Sequence, residues 1–395
     1  MVTLPTLPEL RAIEEAHRAA QARLGIAGAY LALQAWTEVS PTTPEVNADA
    51  WLTRSLSMIR AIQLKSSRLA KAYYQLARAV EVGRTLGVPE YSDDPKAITM
   101  GGLRKQYLNL LVEIAQIDDP EVDNSNSTDE RDEDEEAFER ALREADTTDL
   151  QSNNKAQRLA DVDLDSYIQD WAEKADYDTD DEPVPVDTFK WRERGLTKER
   201  LREIFAEELS EAARVQAEKV ARLERDDNLK PSQFTAKARA AHEASGNIGA
   251  GKVDEFGIRA GREVIGEGIS RDRLVQQIAR GTSGNPCAFC AMLASRGWVN
   301  RSNAGPGFDT DGGNDIVRVH ENCHCFPLVR WVMRPDSDLP ELSAYYKKMW
   351  PIVTKGKSYQ TLPDGKVKNN ALNAWRRWMN AERRKDREAL ASQSA

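Results

Sequence analysis

The stretch WLTRSLSMIRAIQLKSSRLAKAYYQLARAVEVG, residues 51–83, decides the fold class. Its apolar side chains recur at steps of three and four residues, at Leu52, Leu56, Ile59, Leu69, Tyr73, Leu76 and Val80. That spacing places them on one face of an α-helix. Gly83 and Gly87, with Pro89 shortly after, supply a stop signal. The stretch therefore predicts a long amphipathic helix that ends near Gly83.

Two more helices are predicted around this one. The segment from Pro8 to Ala35 is rich in Ala, Leu, Arg and Glu, which favour helix. Residues 98–116 have the pattern of a shorter third helix. Residues 1–117 thus read as an N-terminal helical domain, either a hairpin or a small bundle. Its apolar faces either pack against one another as a core, or one of them docks on a partner protein.

An acidic stretch follows this domain. Fifteen acidic side chains lie between Asp118 and Asp149, and three arginines oppose them. Self-repulsion on that scale disfavours compaction. A second acidic run continues to Asp187, and its segment DYDTDDEPVPVD lacks the glycine and the final glutamate of a calcium-binding EF-hand loop. We therefore expect residues 118–187 to form a flexible acidic linker that binds no calcium.

Residues 188–335 change from helix to strand. A helix over residues 196–225 is predicted from Thr197 as N-cap and from a stripe formed by Leu201, Phe205, Leu209 and Ala212. Residues 255–267 form a second predicted helix, and a third is expected to start after Ser270 and end at Gly281. IVRVH (316–320) and CFPLVRWV (325–332) are rich in β-branched and aromatic residues, so strands are expected there.

All four cysteines of the chain lie in two short runs of this region, NPCAFC (285–290) and VHENCHC (319–325). A tetrahedral zinc ion needs four nitrogen or sulfur donors. Five candidates are available: Cys287, Cys290, His320, Cys323 and Cys325. Clustered cysteines in a reducing compartment favour a metal over disulfides. We expect one structural Zn²⁺ that staples a β-hairpin. Reduced thiols packed around the hairpin, or a disulfide, are the alternatives.

Few residues in the chain offer catalytic chemistry. It has four histidines, and neither a Gly-x-Ser-x-Gly motif nor a phosphate-binding loop is present. The PCAFC run matches half of the zinc deaminase signature, but the His-x-Glu half is missing. We therefore expect no catalytic residues, no organic cofactor and no enzyme activity.

The C-terminal residues 336–395 form a basic, aromatic tail. From Tyr345 onward, twelve basic side chains face four acidic ones, and six tyrosine or tryptophan residues are interleaved. Three interpretations stay open. The tail is a solvated helix that buries Trp375 and Trp378 on its other face, it binds nucleic acid through phosphate charge and stacking, or it docks on an acidic protein surface.

The whole chain of 395 residues carries a formal net charge of −9 and has 40% hydrophobic residues. No run approaches eighteen apolar residues, and the N-terminus lacks the apolar segment of a signal peptide. We expect no membrane partner and a reducing, cytoplasmic origin. The predicted fold class is mainly α with a small α+β C-terminal domain, in which long amphipathic helices accompany a zinc-stapled β-hairpin.

The region from residue 196 to 332 resembles the phage Mu F-like head morphogenesis family, which are minor capsid proteins of tailed phages. The matching positions are Cys287, Cys290, Gly297, His320, Cys323 and Cys325. Two positions depart: Glu321 replaces the usual proline, and His324 replaces the usual arginine. An acidic middle and an Ala-rich helical start are in keeping with an actinobacteriophage relative.

The resemblance implies a structural role in the virion. Such proteins enter the procapsid, associate with the portal, and aid head assembly or DNA packaging and ejection. Scaffold or major capsid protein and packaged DNA are further expected partners. The expected location is the capsid interior, after assembly in the host cytoplasm. The alternative is a phage-encoded enzyme, either a capsid maturation protease or a zinc-dependent nuclease or hydrolase.

Overall fold

The computed structural model describes residues 7–44, 47–117, 133–144, 163–192, 197–226, 228–282, 286–301, 325–361 and 367–393. They form two compact units, one up to Gly268 and the other from Ile269 onward. Both are dominated by helix, and the strands are short. The predicted mainly α class with a small sheet is therefore confirmed. No helix among these residues is both long and apolar enough to cross a membrane.

The first unit is a helical bundle. Its helices are α1 (Leu7–Trp36), α2 (Ala48–Val82), α3 (Met100–Ala115), α4 (Glu133–Glu144), α5 (Leu164–Lys174) and α6 (Lys198–Glu224). Helix α7 (Pro231–Arg271) starts in this unit and ends just past its boundary. Helices α1 and α2 pack along each other, α3 and α5 pack on α1, and α4 and α6 pack on α2. Short strands β1 (Thr85–Leu86) and β2 (Val186–Asp187) pair in parallel.

The helices predicted over residues 8–35, 98–116 and 196–225 are confirmed as α1, α3 and α6, with boundaries within two residues. Helix α2 ends where expected, because Gly83 takes a left-handed conformation (φ 67°) and donates its N–H to the Ala79 carbonyl at 2.8 Å. Helix α6 begins after Thr197, whose hydroxyl accepts the N–H of Arg200 at 3.3 Å. The predicted α6 stripe is buried, at Leu201, Phe205, Leu209 and Ala212.

Helix α7 is much longer than the predicted 255–267 segment. Its 41 residues contain glycines that lie directly against α1 and α2. An added Cβ at Gly261 would lie 2.4 Å from the Ser66 hydroxyl and 2.8 Å from the Ser66 carbonyl oxygen. One at Gly257 would lie 2.6 Å from the Ile62 side chain. The buried face of α7 is thus partly made of backbone, which a search for apolar side chains does not detect.

Two segments of the predicted acidic linker pack on this bundle. Helix α4 buries Phe138 and Leu142, and its acidic residues surround the buried side chain of Lys65 on α2. The Lys65 Nζ lies 2.6 Å from Glu139 and 3.8 Å from Glu135. Burial raises the pKa of Glu135, while the charges of Arg68 and Lys65 oppose that rise.

The segment after α5 is tied to the bundle by arginines. Arg104 on α3 donates two hydrogen bonds of 2.9 and 3.1 Å to Glu9 and one of 2.6 Å to Asp180. Asp187 accepts a 2.6 Å hydrogen bond from Arg78. The flexibility of residues 118–187 as a whole stays a prediction, since residues 118–132 and 145–162 lie outside the described part. The predicted domain boundaries at residues 117, 187 and 335 also stay predictions.

The second unit contains a three-stranded antiparallel sheet in the order β4-β3-β5. Strand β3 (Gln277–Gly281) lies between β4 (Val299–Asn300) and β5 (Phe326–Arg330). Helices α8 (Ala288–Ala294), α9 (Glu341–Val353) and α10 (Asn370–Gln393) pack together, and β6 (Tyr359–Thr361) pairs with β7 (Val367–Asn369).

One prediction in this unit is wrong. The helix expected between Ser270 and Gly281 is instead the end of α7 followed by strand β3. All five residues of β3 are buried, and each pairs with a residue of β5, so tertiary pairing overrides the local helical pattern. The strand predicted in CFPLVRWV is confirmed as β5. The strand predicted in IVRVH lies outside the described residues, so the predicted hairpin between the two is not tested.

Candidate metal centre

A short helix holds the first pair of predicted metal ligands. Cys287 is the N-cap of α8, and its sulfur accepts the backbone N–H of Cys290 at 3.2 Å. The two intervening residues make the first turn of the helix, so both cysteines lie at its N-terminal end. Cys290 is fully buried and Cys287 is half-buried. An N–H bond to sulfur stabilises negative charge, and the thiolate is the form of cysteine that binds metal.

A buried guanidinium lies beside this pair. The Nη1 of Arg280 on β3 is 3.5 Å from the Cys290 sulfur, and the Arg280 side chain is only 1% exposed. On the neighbouring strand, Arg330 is also fully buried, and its guanidinium stands 4.6 Å from the ring centre of Trp298. The Arg280 guanidinium thus places a hydrogen-bond donor beside the Cys290 sulfur inside the fold. Neither arginine was predicted. A charged residue inside the strand pattern of CFPLVRWV is the available signal for Arg330, whereas Arg280 lies in a segment predicted as helix.

The second group of predicted ligands is only partly described. Cys325 is buried directly before β5, whose first residue, Phe326, pairs with Gly281. His320 and Cys323 lie outside the described residues. Within the ranges that the structure describes, no three His, Cys, Asp or Glu side chains are arranged to hold a metal ion. Cys287 and Cys290 supply half of a tetrahedral donor set, which is chemically suited to zinc.

The C-terminal helix supports the same site. The indole Nε1 of Trp375 on α10 donates to the carbonyl of Ala288 at 2.9 Å, and Arg383 donates to the carbonyl of Pro286. Trp375 is fully buried in a cluster with Ala291 and neighbouring apolar side chains of α9 and α10. This confirms that the tail helix buries Trp375. It also means that residues predicted to lie in a separate tail hold the cysteine-bearing turn in position.

A surface cavity of about 580 Å³ occurs elsewhere in the second unit. Arg273, Arg301 and Met333 are among the residues that line it. The side chain of Arg301 is already engaged with backbone carbonyls, at 2.6 Å in the case of Ser270. The cysteines are not part of its lining, so it does not extend the candidate metal centre.

Comparison with known proteins gives the family. The VG15 protein family matches residues 143–350, which is more than half of the chain. The chain belongs to this family. Membership indicates a phage virion-associated protein, which confirms the phage origin predicted from the resemblance, although not the Mu F-like family specifically. The matched region contains all four cysteines and ends within α9. No curated protein and no solved structure matches the chain.

Proposed function

We propose that this VG15 family member is a minor capsid protein that acts in head morphogenesis. In this proposal it associates with the portal, contacts scaffold or major capsid protein during assembly in the host cytoplasm, and ends inside the capsid. The observation that carries the proposal is the family match over residues 143–350. The resemblance to Mu F-like proteins, carried by Cys287, Cys290 and the ligands after them, supplies the finer assignment.

The architecture of the first unit supports a docking role. The exposed residues of α6 include the apolar Ile204, which is 39% exposed, together with charged side chains such as Arg202 and Glu207. An amphipathic helix of this kind suits packing against helices of a partner. Tight anchoring between helices, such as the 3.0 Å bond from Gln63 to the Phe256 carbonyl, gives the bundle a rigid frame.

The metal in this proposal is structural. Cys287, Cys290, His320 and one or both of Cys323 and Cys325 would hold one Zn²⁺, and a site saturated by protein ligands has no open position for water. The ion would supply stability to a loop-rich region that has a small core of its own. The chain's own residues prepare half of the site, through the Cys290 N–H and the Arg280 guanidinium. No enzymatic step is assigned to the chain.

A co-purification experiment tests this function. The chain is expressed together with the portal protein of the same phage, and the complex is isolated and its mass measured. We expect a complex of defined stoichiometry. The proposal is wrong if no complex forms while the isolated chain cleaves DNA or capsid protein at a rate that Cys290→Ala abolishes. That result would establish the alternative, a protease or a zinc-dependent nuclease.

A further inference from the structure

Helix α10 presents three arginines on one exposed face. Arg376, Arg377 and Arg384 are all exposed. At about 100° per residue, these positions fall within roughly 100° of one another around the helix, and the first and last are about 12 Å apart along its axis. Among the residues that the structure describes, none of the three makes an ion pair. We call these three residues the arginine face.

The opposite side of α10 packs in the core of the second unit. Trp375 and Met379 are buried in the core of the second unit, and Arg383 bonds the Pro286 carbonyl. Lys385 pairs with Glu382 at 2.8 Å. The helix is thus fixed by one side, while the arginine face takes no part in that packing. The helix fixes the relative backbone positions of the three arginines, and the described contacts give their side chains no structural task.

The tryptophans of this region and Tyr346 pack against one another, which limits their use in base stacking. The Trp375 ring lies 5.2 Å from Trp350 and 4.6 Å from Trp378, measured between ring centres, and Tyr346 also packs against it. Single-stranded nucleic acid is bound by stacking bases on exposed aromatic rings. Since these rings pack against one another, the structure favours contact with phosphate charge over contact with bases.

A protein partner is also disfavoured by the composition of the arginine face. The residue between its cations is the exposed Asn380, so the face offers no apolar anchor. Protein interfaces have an apolar core. Helix α4 gives a comparison within this chain. It packs on the bundle through the buried apolar side chains of Phe138 and Leu142 as well as through its charges. The arginine face has no equivalent of these side chains.

We infer that the arginine face of α10 binds the phosphate backbone of double-stranded DNA without reading its sequence. Arginine suits phosphate because its planar guanidinium donates two parallel hydrogen bonds. The charge distribution confines the contact to this end of the chain. Residues 345–395 carry a net +8, which leaves −17 on the rest of a chain of net −9, and that remainder repels DNA. The inference rests on the proposed function, in which the protein shares the head with packaged DNA.

Binding of the full chain to labelled DNA tests the inference. Fluorescence anisotropy is measured with a 30-base-pair duplex and with a single strand of equal length, over a series of salt concentrations. The variant Arg376→Gln/Arg377→Gln/Arg384→Gln is compared with the natural chain. We expect duplex affinity to fall at least about tenfold at low salt, and the slope of log affinity against log salt to shrink by about 3, since each lost phosphate contact removes about 0.9.

The matched control removes three exposed cations from the first unit, in the variant Arg222→Gln/Lys237→Gln/Arg239→Gln. We expect it to bind the duplex like the natural chain. The inference is overturned if the natural chain does not bind duplex, if both triple variants lose affinity equally, or if the single strand binds more tightly. The portal complex is measured separately and needs no DNA, so failure of the proposed function and failure of this inference give different results.

Discussion

His17 makes the stability of the first unit depend on pH. The imidazole lies in the core of the bundle, 1% exposed, and stacks on the Tyr73 ring at 4.2 Å between ring centres. Burial lowers the pKa of His17 from 6.5 to about 3, because the charged imidazolium would lose its water. A histidine that stays neutral in the folded state and titrates normally in the unfolded state couples folding to pH.

The folded and unfolded pKa values of His17 give the direction and size of the pH effect on stability. Between about pH 3 and 6.5 the unfolded chain binds a proton at His17 that the folded chain does not, so acid favours unfolding. The stabilisation is full above the unfolded pKa and is lost as pH falls below it. One pH unit corresponds to 1.36 kcal/mol, so a change from pH 7 to pH 5 lowers the free energy of unfolding by about 2 kcal/mol through this one residue.

Urea unfolding at pH 7 and pH 5 measures this effect in the natural chain and in His17→Phe. Phenylalanine keeps an aromatic ring against Tyr73 but cannot bind a proton. Other groups, including the partly buried His242 whose pKa burial also lowers, titrate equally in both proteins. We expect the loss of stability between the two pH values to be about 2 kcal/mol smaller in the variant. Equal losses in the two proteins would refute the assignment to His17.

Three further predictions concern packing, buried charge and metal. Gly261→Ala should destabilise the first unit by about 1–2 kcal/mol in urea unfolding, because overpacking against Ser66 outweighs about 1 kcal/mol of gained helix propensity. Lys65→Met should loosen α4, seen as faster amide exchange over residues 133–144, because it removes the buried cation that lies against the Glu139 carboxylate, at a cost of about 3–5 kcal/mol. Metal analysis of the reduced protein should find about one zinc per chain, and Cys290→Ser should lose it together with thermal stability.

Each of these predictions has a control in the chain. Ala236→Gly, at an exposed site of α7, measures helix propensity alone, and a stabilised Gly261→Ala protein would contradict the close contact. Arg54→Met breaks an exposed pair with Glu38 and should cost less than about 1 kcal/mol. Unchanged exchange in the Lys65 variant would show that the buried cation does not hold α4. His242→Gln lies outside the cysteine runs and should retain the metal. If the natural protein contains no zinc, the proposal of a structural zinc ion is wrong.

The helices of the first unit could be predicted because local signals agree there. Apolar spacing, a Thr197 cap and a Gly83 stop each depend on neighbours in sequence, and all three are found in the structure. The long helix α7 was predicted only in part, since it packs through glycine backbone at positions such as Gly261. Strand β3 was mistaken for helix, because its state is set by pairing with β5, some fifty residues away.

The candidate metal centre was likewise predicted only where local sequence determines the structure. The Cys287 and Cys290 pair was found from spacing, and the helix cap at Cys287 gives that spacing its structural reason. The buried Arg280 could not be assigned to the site, since a strand arginine is normally placed in water and only the tertiary fold buries it. The packing of α4 on the bundle was not predicted either. Net charge predicts repulsion for an acidic segment, but the buried Lys65 compensates it at one place.

We propose that this chain is a structural component of the phage head. Quantitative mass spectrometry of purified virions, with heads and tails separated, tests this proposal. We expect a few copies of the chain per particle, at a fixed ratio to the portal, in the head fraction. Absence of the chain from intact particles, or its presence in the tail fraction only, would contradict it.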